Sequence, residues 1–166
     1  MRATAATAAL VLATMLATEG RAGEPPALWV VVNEANPVQT LSVDELRAIF
    51  TASLRFWAHG GPIAPFNAPA GTPNRVLFDE VVLRLGPREA GQFWVDQKVR
   101  GGPPPPRQVA AAMVLVAVVA KLEAAVGYVP AGTCLSGVKV VAVVEEGRVR
   151  PPGAGEAGGE QCSRTR

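Results

Sequence analysis

The segment Gly71-Thr72-Pro73-Asn74-Arg75 brings together groups that can bind an anion. Thr72 predicts a helix N-cap, because its hydroxyl can accept a hydrogen bond from the first turn and Pro73 suits the first helical position. The free amides and positive dipole end of such a helix attract an anion. Arg75 adds a planar set of donors for a phosphate, sulfate or carboxylate. The alternative is an ordinary capped helix with a solvated arginine.

Catalytic chemistry has little support in the sequence. His59 is the only histidine, and it lies in the turn His59-Gly60-Gly61-Pro62. No second Cys or His stands at ligand spacing from it, and no acid or nucleophile pattern surrounds it. We therefore expect no enzymatic activity, no metal and no cofactor.

The N-terminus predicts export. Arg2 precedes the apolar stretch Ala5–Ala17, which is too short to cross a bilayer, and Gly20 and Ala22 form a small-x-small cleavage pattern. We predict a signal peptide over residues 1–22 and a periplasmic or secreted mature chain without a membrane span. The formal net charge of the chain is only +2, which favours neither nucleic acid nor an anionic membrane as partner.

The chain has two cysteines, Cys134 and Cys162. In an oxidising export compartment they can form a disulfide that ties the C-terminal tail to the domain. Two free thiols are the alternative, because the sequence does not show whether the geometry of a disulfide is met.

Alternating strand and helix patterns must position the Thr72 segment. They predict one α/β domain over residues 23–146, and then a Gly/Pro/Arg-rich tail over residues 147–166 that is disordered unless Cys162 anchors it. Apolar runs predict strands at Leu28–Val32, Ile63–Phe66, Val126–Val129 and Val138–Val144. Helices are predicted behind the capping box Ser42–Glu45, from Pro73 to about Leu85, after Pro87 and over Val109–Ala120.

Some apolar segments can be interpreted either as parts of the domain's structure or as interaction surfaces. We expect the last of these helices, Val109–Ala120, to be covered on most sides. Trp29, Phe56 and Trp57 are expected in the core, because one α/β lobe needs its few large side chains inside; an exposed apolar patch formed by them would instead indicate an interaction surface. Pro103–Pro106 predicts a stiff extended connector, with a ligand for a partner's groove as the alternative.

Several short motifs follow one another in a definite order between Val30 and Val144. They are Val32-Asn33-x-x-Asn36-Pro37-Val38, Leu41-Ser42-x-x-Glu45-Leu46-x-x-Ile49-Phe50, Gly60-Gly61-Pro62, Gly71-Thr72-Pro73-Asn74-Arg75, Gly127-Tyr128-Val129 and Val138-Lys139-Val140. This ordered set resembles phosphate ABC-transporter substrate-binding proteins. The chain has room for only one of their two lobes, so it is more similar to a short, single-domain member.

The resemblance implies a single lobe of a type II periplasmic-binding-protein fold, with a mixed sheet of about four to five strands flanked by helices. It also implies an exported protein that recognises phosphate or a similar small anion, in ABC-type uptake with a membrane permease. Carried onto this chain, the ligand-binding residues are Gly71, Thr72, Asn74 and Arg75. Thr72 would offer a hydroxyl, Arg75 charged donors and Asn74 the nearest backbone amide, since Pro73 has none.

A single lobe limits the affinity that this site can reach. An exposed arginine with a helix terminus contributes about 1–3 kcal/mol toward an anion. Tight binding needs water excluded by a second wall, which a second copy of the chain or a partner protein could supply. We therefore expect weak or absent phosphate binding by the monomer. The alternative function is an accessory or sensor interaction domain that has lost ligand binding.

Overall fold

A mixed sheet forms the centre of the computed structural model, which describes residues 26–156. The predicted signal peptide, residues 1–22, lies outside the described residues, as does Cys162. The strands are β1 Leu28–Asn33, β2 Ala64–Asn67, β3 Arg107–Gln108, β4 Ala125–Pro130, β5 Val138–Glu145 and β6 Arg148–Arg150. The helices are α1 Val43–Phe50, α2 Pro73–Phe78, the π-helix Asp79–Leu83, α3 Pro87–Val99 and α4 Ala112–Lys121.

The strand order is β3-β2-β4-β1-β5-β6. β2 runs parallel to β3 and β4, whereas β1 is antiparallel to both β4 and β5, and β5 is antiparallel to β6. The predicted mixed α/β architecture is confirmed, but with six strands instead of four to five. The two additional strands are the short edge strands β3 and β6.

β1 is buried on both faces, which explains its unbroken apolar sequence. Val30 and Val32 pack into one core layer and Val31 into the other. The first layer contains the buried side chains of α1, α2 and the π-helix, namely Leu46, Ile49, Phe50, Phe78, Val82 and Leu83. The second contains those of α4, namely Leu115, Val116 and Val119.

The predicted capping box starts α1. The amide of Ser42 donates to Glu45 Oε2 over 2.8 Å, and the amide of Glu45 donates to Ser42 Oγ over 3.3 Å. The amide and the hydroxyl of Ser42 both donate to the Glu45 carboxyl, and these two hydrogen bonds lower its pKa. The helix therefore begins where its sequence predicts, because both partners are local.

The structure departs from the sequence expectations at four places. The helix predicted from Pro73 to about Leu85 is interrupted, since α2 passes into the π-helix, which ends at Arg84 with φ of 56°. α4 is covered on one side only, and Met113 and Val114 are exposed. Phe56 is 61% exposed, whereas Trp29 and Trp57 are buried as expected.

The fourth departure concerns the segment beyond Gly147. We expected residues 147–166 to be disordered unless Cys162 anchors them, but Arg148–Arg150 forms β6 and pairs with β5. Polar side chains suffice in this strand because it covers a sheet edge and is only partly buried. Within residues 26–156, no helix has the length and apolar character that a bilayer crossing requires.

Candidate functional site

The carboxyl ends of β2, β3 and β4 lie at one edge of the sheet, because these three strands are parallel. The chain leaves β2 at Asn67 and enters α2 at Pro73, so the Thr72 segment lies at this edge. In open α/β sheets, ligands bind in the crevice outside the carboxyl ends of the strands. We call this region the carboxyl edge.

Thr72 occupies the predicted N-cap position, with extended backbone at φ −73° and ψ 149°. The prediction that its hydroxyl caps the helix is wrong: the side chain accepts no hydrogen bond from the first turn, and the hydroxyl donates to the carbonyl of Pro69 over 2.8 Å. The amide of Thr72 donates to the same carbonyl over 3.3 Å. Gly71, at φ +79°, allows this tight turn, and no atom lies within 4 Å of where its Cβ would stand.

Arg75 is buried, with 7% of its surface exposed. Its Nε donates to Asp79 Oδ2 over 2.6 Å, and its Nη1 donates to the carbonyl of Ala68 over 3.3 Å. The alternative interpretation, an ordinary helix with a solvated arginine, is therefore wrong for Arg75. Asp79 neutralises the charge that would attract an anion, and Arg75 ties the start of the loop to the helix.

Asp79 begins the π-helix and is itself buried. Burial raises the pKa of its carboxyl, and the nearby Arg75 opposes that rise. Oδ1 of Asp79 has no hydrogen-bond partner within the described part of the chain. Leaving a buried acceptor without a partner is costly. Oδ1 can therefore accept a hydrogen bond from a donor group of a ligand or from water.

Tyr128 of β4 supports the loop between β2 and α2 through hydrogen bonds. The hydroxyl of Tyr128 donates to Asn67 Oδ1 over 2.6 Å and accepts from the amide of Ala68 over 3.2 Å. The ring of Tyr128 stacks on Phe78 with centroids 4.1 Å apart, and burial raises the pKa of its hydroxyl. Neither Asn67 nor Tyr128 was predicted to support this loop, although each is a polar group next to or within an apolar strand.

Two cavities flank the start of α2, and they divide the predicted site residues. Gly71, Arg75 and Asp79 line a cavity of about 220 Å³ that we call the arginine cavity. Asn74 lines a different cavity of about 830 Å³. Thr72 is not among the residues that line either one. The structure therefore brings Gly71 and Arg75 together and separates both from the Asn74 side chain.

The cavity beside Asn74 contains a cation that is already paired. Arg150 of β6 donates to Glu145 from Nε over 2.5 Å and to Glu156 from Nη1 over 2.7 Å. The hydrogen bonds from Arg150 lower the pKa of Glu156 to about 2. With two carboxylates on one guanidinium, this cluster does not favour an added anion.

His59 stacks on Trp57, with ring centroids 6.0 Å apart and an interplanar angle of 15°. Across residues 26–156, no group of three or more His, Cys, Asp or Glu side chains is placed to hold a metal ion.

Solved structures with a similar fold include proteins described as phosphate transport receptors or substrate-binding proteins. An ABC-type phosphate transport receptor from Vibrio cholerae aligns with a TM-score of 0.56 and 22% identity, over 70% of this chain and 45% of that chain. A putative phosphate ABC transporter substrate-binding protein with bound phosphate, from Clostridium perfringens, gives 0.54 and 19%, over 70% and 44%. PstS from Borrelia burgdorferi gives 0.51 and 14%, over 64% and 41%.

These likenesses confirm the fold expected from the ordered motifs, that of one lobe of such a protein. The chain spans less than half the length of the solved structures that it matches. No protein-family model matches the chain, and no curated protein matches it in sequence.

Proposed function

We propose that this chain is a solute-binding-like protein that recognises phosphate or a similar small anion at the arginine cavity, and that a single lobe does so weakly. The observation that supports the proposal is the position of Arg75, a buried guanidinium in a cavity beside Gly71 at the carboxyl edge. One solved structure of similar fold has phosphate bound, which makes phosphate the first ligand to test.

In this proposal the four predicted residues contribute differently to anion binding. Arg75 supplies the charge, and Gly71 leaves room for close approach of the ligand to the backbone. The amide of Asn74 contributes from the first turn of α2, where amides have no partner within the helix. The hydroxyl of Thr72 contributes only if it leaves the carbonyl of Pro69.

The biological setting is part of the same proposal. We infer a periplasmic or secreted location and delivery of the anion to a membrane permease, supported by the ABC-type transport proteins of similar fold. The proposal assigns no catalytic step and no cofactor. A second copy of the chain or a partner protein would supply the second wall that excludes water from the ligand.

The test is calorimetric titration of the monomer with phosphate. We expect a dissociation constant of about 1 mM or weaker, because Asp79 offsets the charge of Arg75 and one wall stays open. The double variant Arg75→Gln/Asp79→Asn, which leaves no unpaired buried charge, should remove the binding. Arg100→Gln, an exposed position at the end of α3, is the control and should change nothing.

Two results would contradict the proposal. Sub-micromolar binding by a proven monomer would show that one lobe suffices. Phosphate binding that survives in the double variant would place the site elsewhere. If the wild type binds neither phosphate nor sulfate, the alternative function as an interaction domain without a ligand is supported instead.

A further inference from the structure

A second concave surface lies where β2 begins and where the chain approaches β3 and β4, away from the carboxyl edge. Its volume is about 600 Å³, which is within the range of sites for small organic ligands. We call it the amino-edge groove. Its principal lining residues are Leu54, Arg55, Phe56, Pro103–Pro106, Arg107 and Leu122.

The groove exposes large apolar side chains to solvent. Phe56 is 61% exposed, Leu122 is 45% exposed and Leu54 is 38% exposed. Leaving such side chains in water forfeits about 25 cal/mol for each Å² that could be buried. Clustered exposure of this kind, in contrast to isolated apolar residues, indicates a binding surface.

One wall of the groove is rigid. Pro103–Pro106 have fixed φ angles and no amide hydrogens, so this segment offers an apolar surface without donors that need partners. On the opposite side, the amide of Ile63 donates to the carbonyl of Arg55 over 2.8 Å, and Phe56 forms a bridge with Pro62. A preformed cavity binds with a smaller ordering cost than a flexible one.

Two arginines give the groove its charge. Arg55 and Arg107 line it, and neither forms an ion pair with any residue between 26 and 156. By contrast, the guanidinium groups of Arg75 and Arg150 are paired with carboxylates. An apolar cavity with two unpaired cations is complementary to a ligand that is apolar in its body and anionic at its head.

We propose that the amino-edge groove binds a small amphipathic carboxylate, with its apolar chain against Phe56 and the proline wall and its carboxylate at Arg55 and Arg107. The groove shares Pro105 with the arginine cavity, but Arg55, Phe56 and Arg107 line only the groove. Octanoate is the probe, and 1-octanol, which has the same chain without the charge, is the matched control ligand. Binding of each is measured by calorimetry on the full chain.

We expect octanoate to bind and 1-octanol to bind about tenfold more weakly or not at all, since only octanoate carries the negative charge that makes its hydrogen bonds with the guanidinium groups charge-assisted on both sides. Arg55→Gln/Arg107→Gln should weaken octanoate about tenfold, and Phe56→Ser should also weaken it. Both arginines are exposed, so replacing them with glutamine should leave the melting temperature unchanged. Arg100→Gln is the control and should bind octanoate like the wild type.

Equal binding of octanoate and 1-octanol, or full binding by the double arginine variant, would overturn the proposal. So would self-association that buries the groove, seen as a concentration-dependent dimer that Phe56→Ser abolishes. Failure here is distinguishable from failure of the phosphate proposal. Arg75→Gln/Asp79→Asn should leave octanoate binding unchanged, and phosphate should not compete with octanoate.

Discussion

At the scale of single residues, the pair Arg75–Asp79 controls whether the arginine cavity can hold an anion. The guanidinium has the chemistry that an oxyanion needs, but Asp79 lies 2.6 Å from it and both side chains are buried. The i, i+4 spacing is readable in the sequence. The burial that strengthens the pair is not, because it results from packing against residues distant in the chain.

Asp79→Asn should increase the affinity for sulfate about tenfold, because it removes the competing negative charge and keeps the shape of the side chain. Titration calorimetry measures the change. Glu80→Gln, at the exposed neighbouring position, is the matched control and should have no effect. An affinity in Asp79→Asn that equals the wild-type value would show that Arg75 does not contact the anion.

Sulfate affinity should also rise as the pH falls toward the pKa of Asp79, because burial raises that pKa and favours the neutral carboxyl while Arg75 stays charged. Sulfate is the probe because phosphate itself takes up a proton as the pH falls. Asp79→Asn should remove the pH dependence. A dependence that persists in this variant would assign the effect to another group.

The same carboxyl affects stability with a definite sign. Its pKa is raised in the folded state, so the native protein binds this proton more tightly than the unfolded chain does. The cost of ionising Asp79 is present above the folded pKa and disappears as the pH falls toward its unfolded value, about 3.8. Glu45 and Glu156 act in the opposite direction, because their pKa values are lowered.

At the scale of elements, the loop from β2 to α2 depends on β4. Tyr128 bonds both Asn67 and Ala68, and its ring contacts Phe78 at the end of α2. The Tyr128 side chain therefore connects the loop to α2 through direct contacts. The position of Gly71 and Arg75 at the carboxyl edge depends on a tyrosine more than fifty residues away in the sequence.

Tyr128→Phe should lower the free energy of unfolding by about 1–3 kcal/mol, since Asn67 Oδ1 and the amide of Ala68 each lose a partner in a buried region. The phenyl ring keeps the stacking on Phe78, which separates the hydrogen bonds from the packing. Urea denaturation measures the difference. A change below about 0.5 kcal/mol would indicate that water replaces the hydroxyl at little cost.

At the scale of the whole molecule, the disulfide predicted from the two cysteines would join the C-terminal tail to the domain. The pairing of Cys134 with Cys162 stays a prediction, because Cys162 lies outside the described residues. If the pair forms, alkylation of the denatured protein, produced in an oxidising compartment, should label both cysteines only after reduction, and mass spectrometry measures the number of labels. Two labels without reduction would contradict the pair, and Cys162→Ser is the control.

The fold could be predicted where the determinants are local or strongly apolar. The apolar runs of β1, β4 and β5 predict buried strands, and the Ser42–Glu45 box predicts the start of α1. The edge strands β3 and β6 could not be predicted, because short polar segments become strands only through the neighbours they pair with. The π-helix after Phe78 has no sequence signal that we recognise.

The sequence by itself determined the central strands, the entry into α2 at Thr72-Pro73 and the order of motifs that resembles phosphate-binding proteins. The tertiary structure alone decided which groups meet. It turned the Thr72 hydroxyl to Pro69, buried Arg75 against Asp79 and brought Arg55 and Arg107 to one groove. The physical reason is that capping and strand propensity act between near neighbours, whereas burial and charge pairing depend on contacts between distant parts of the chain.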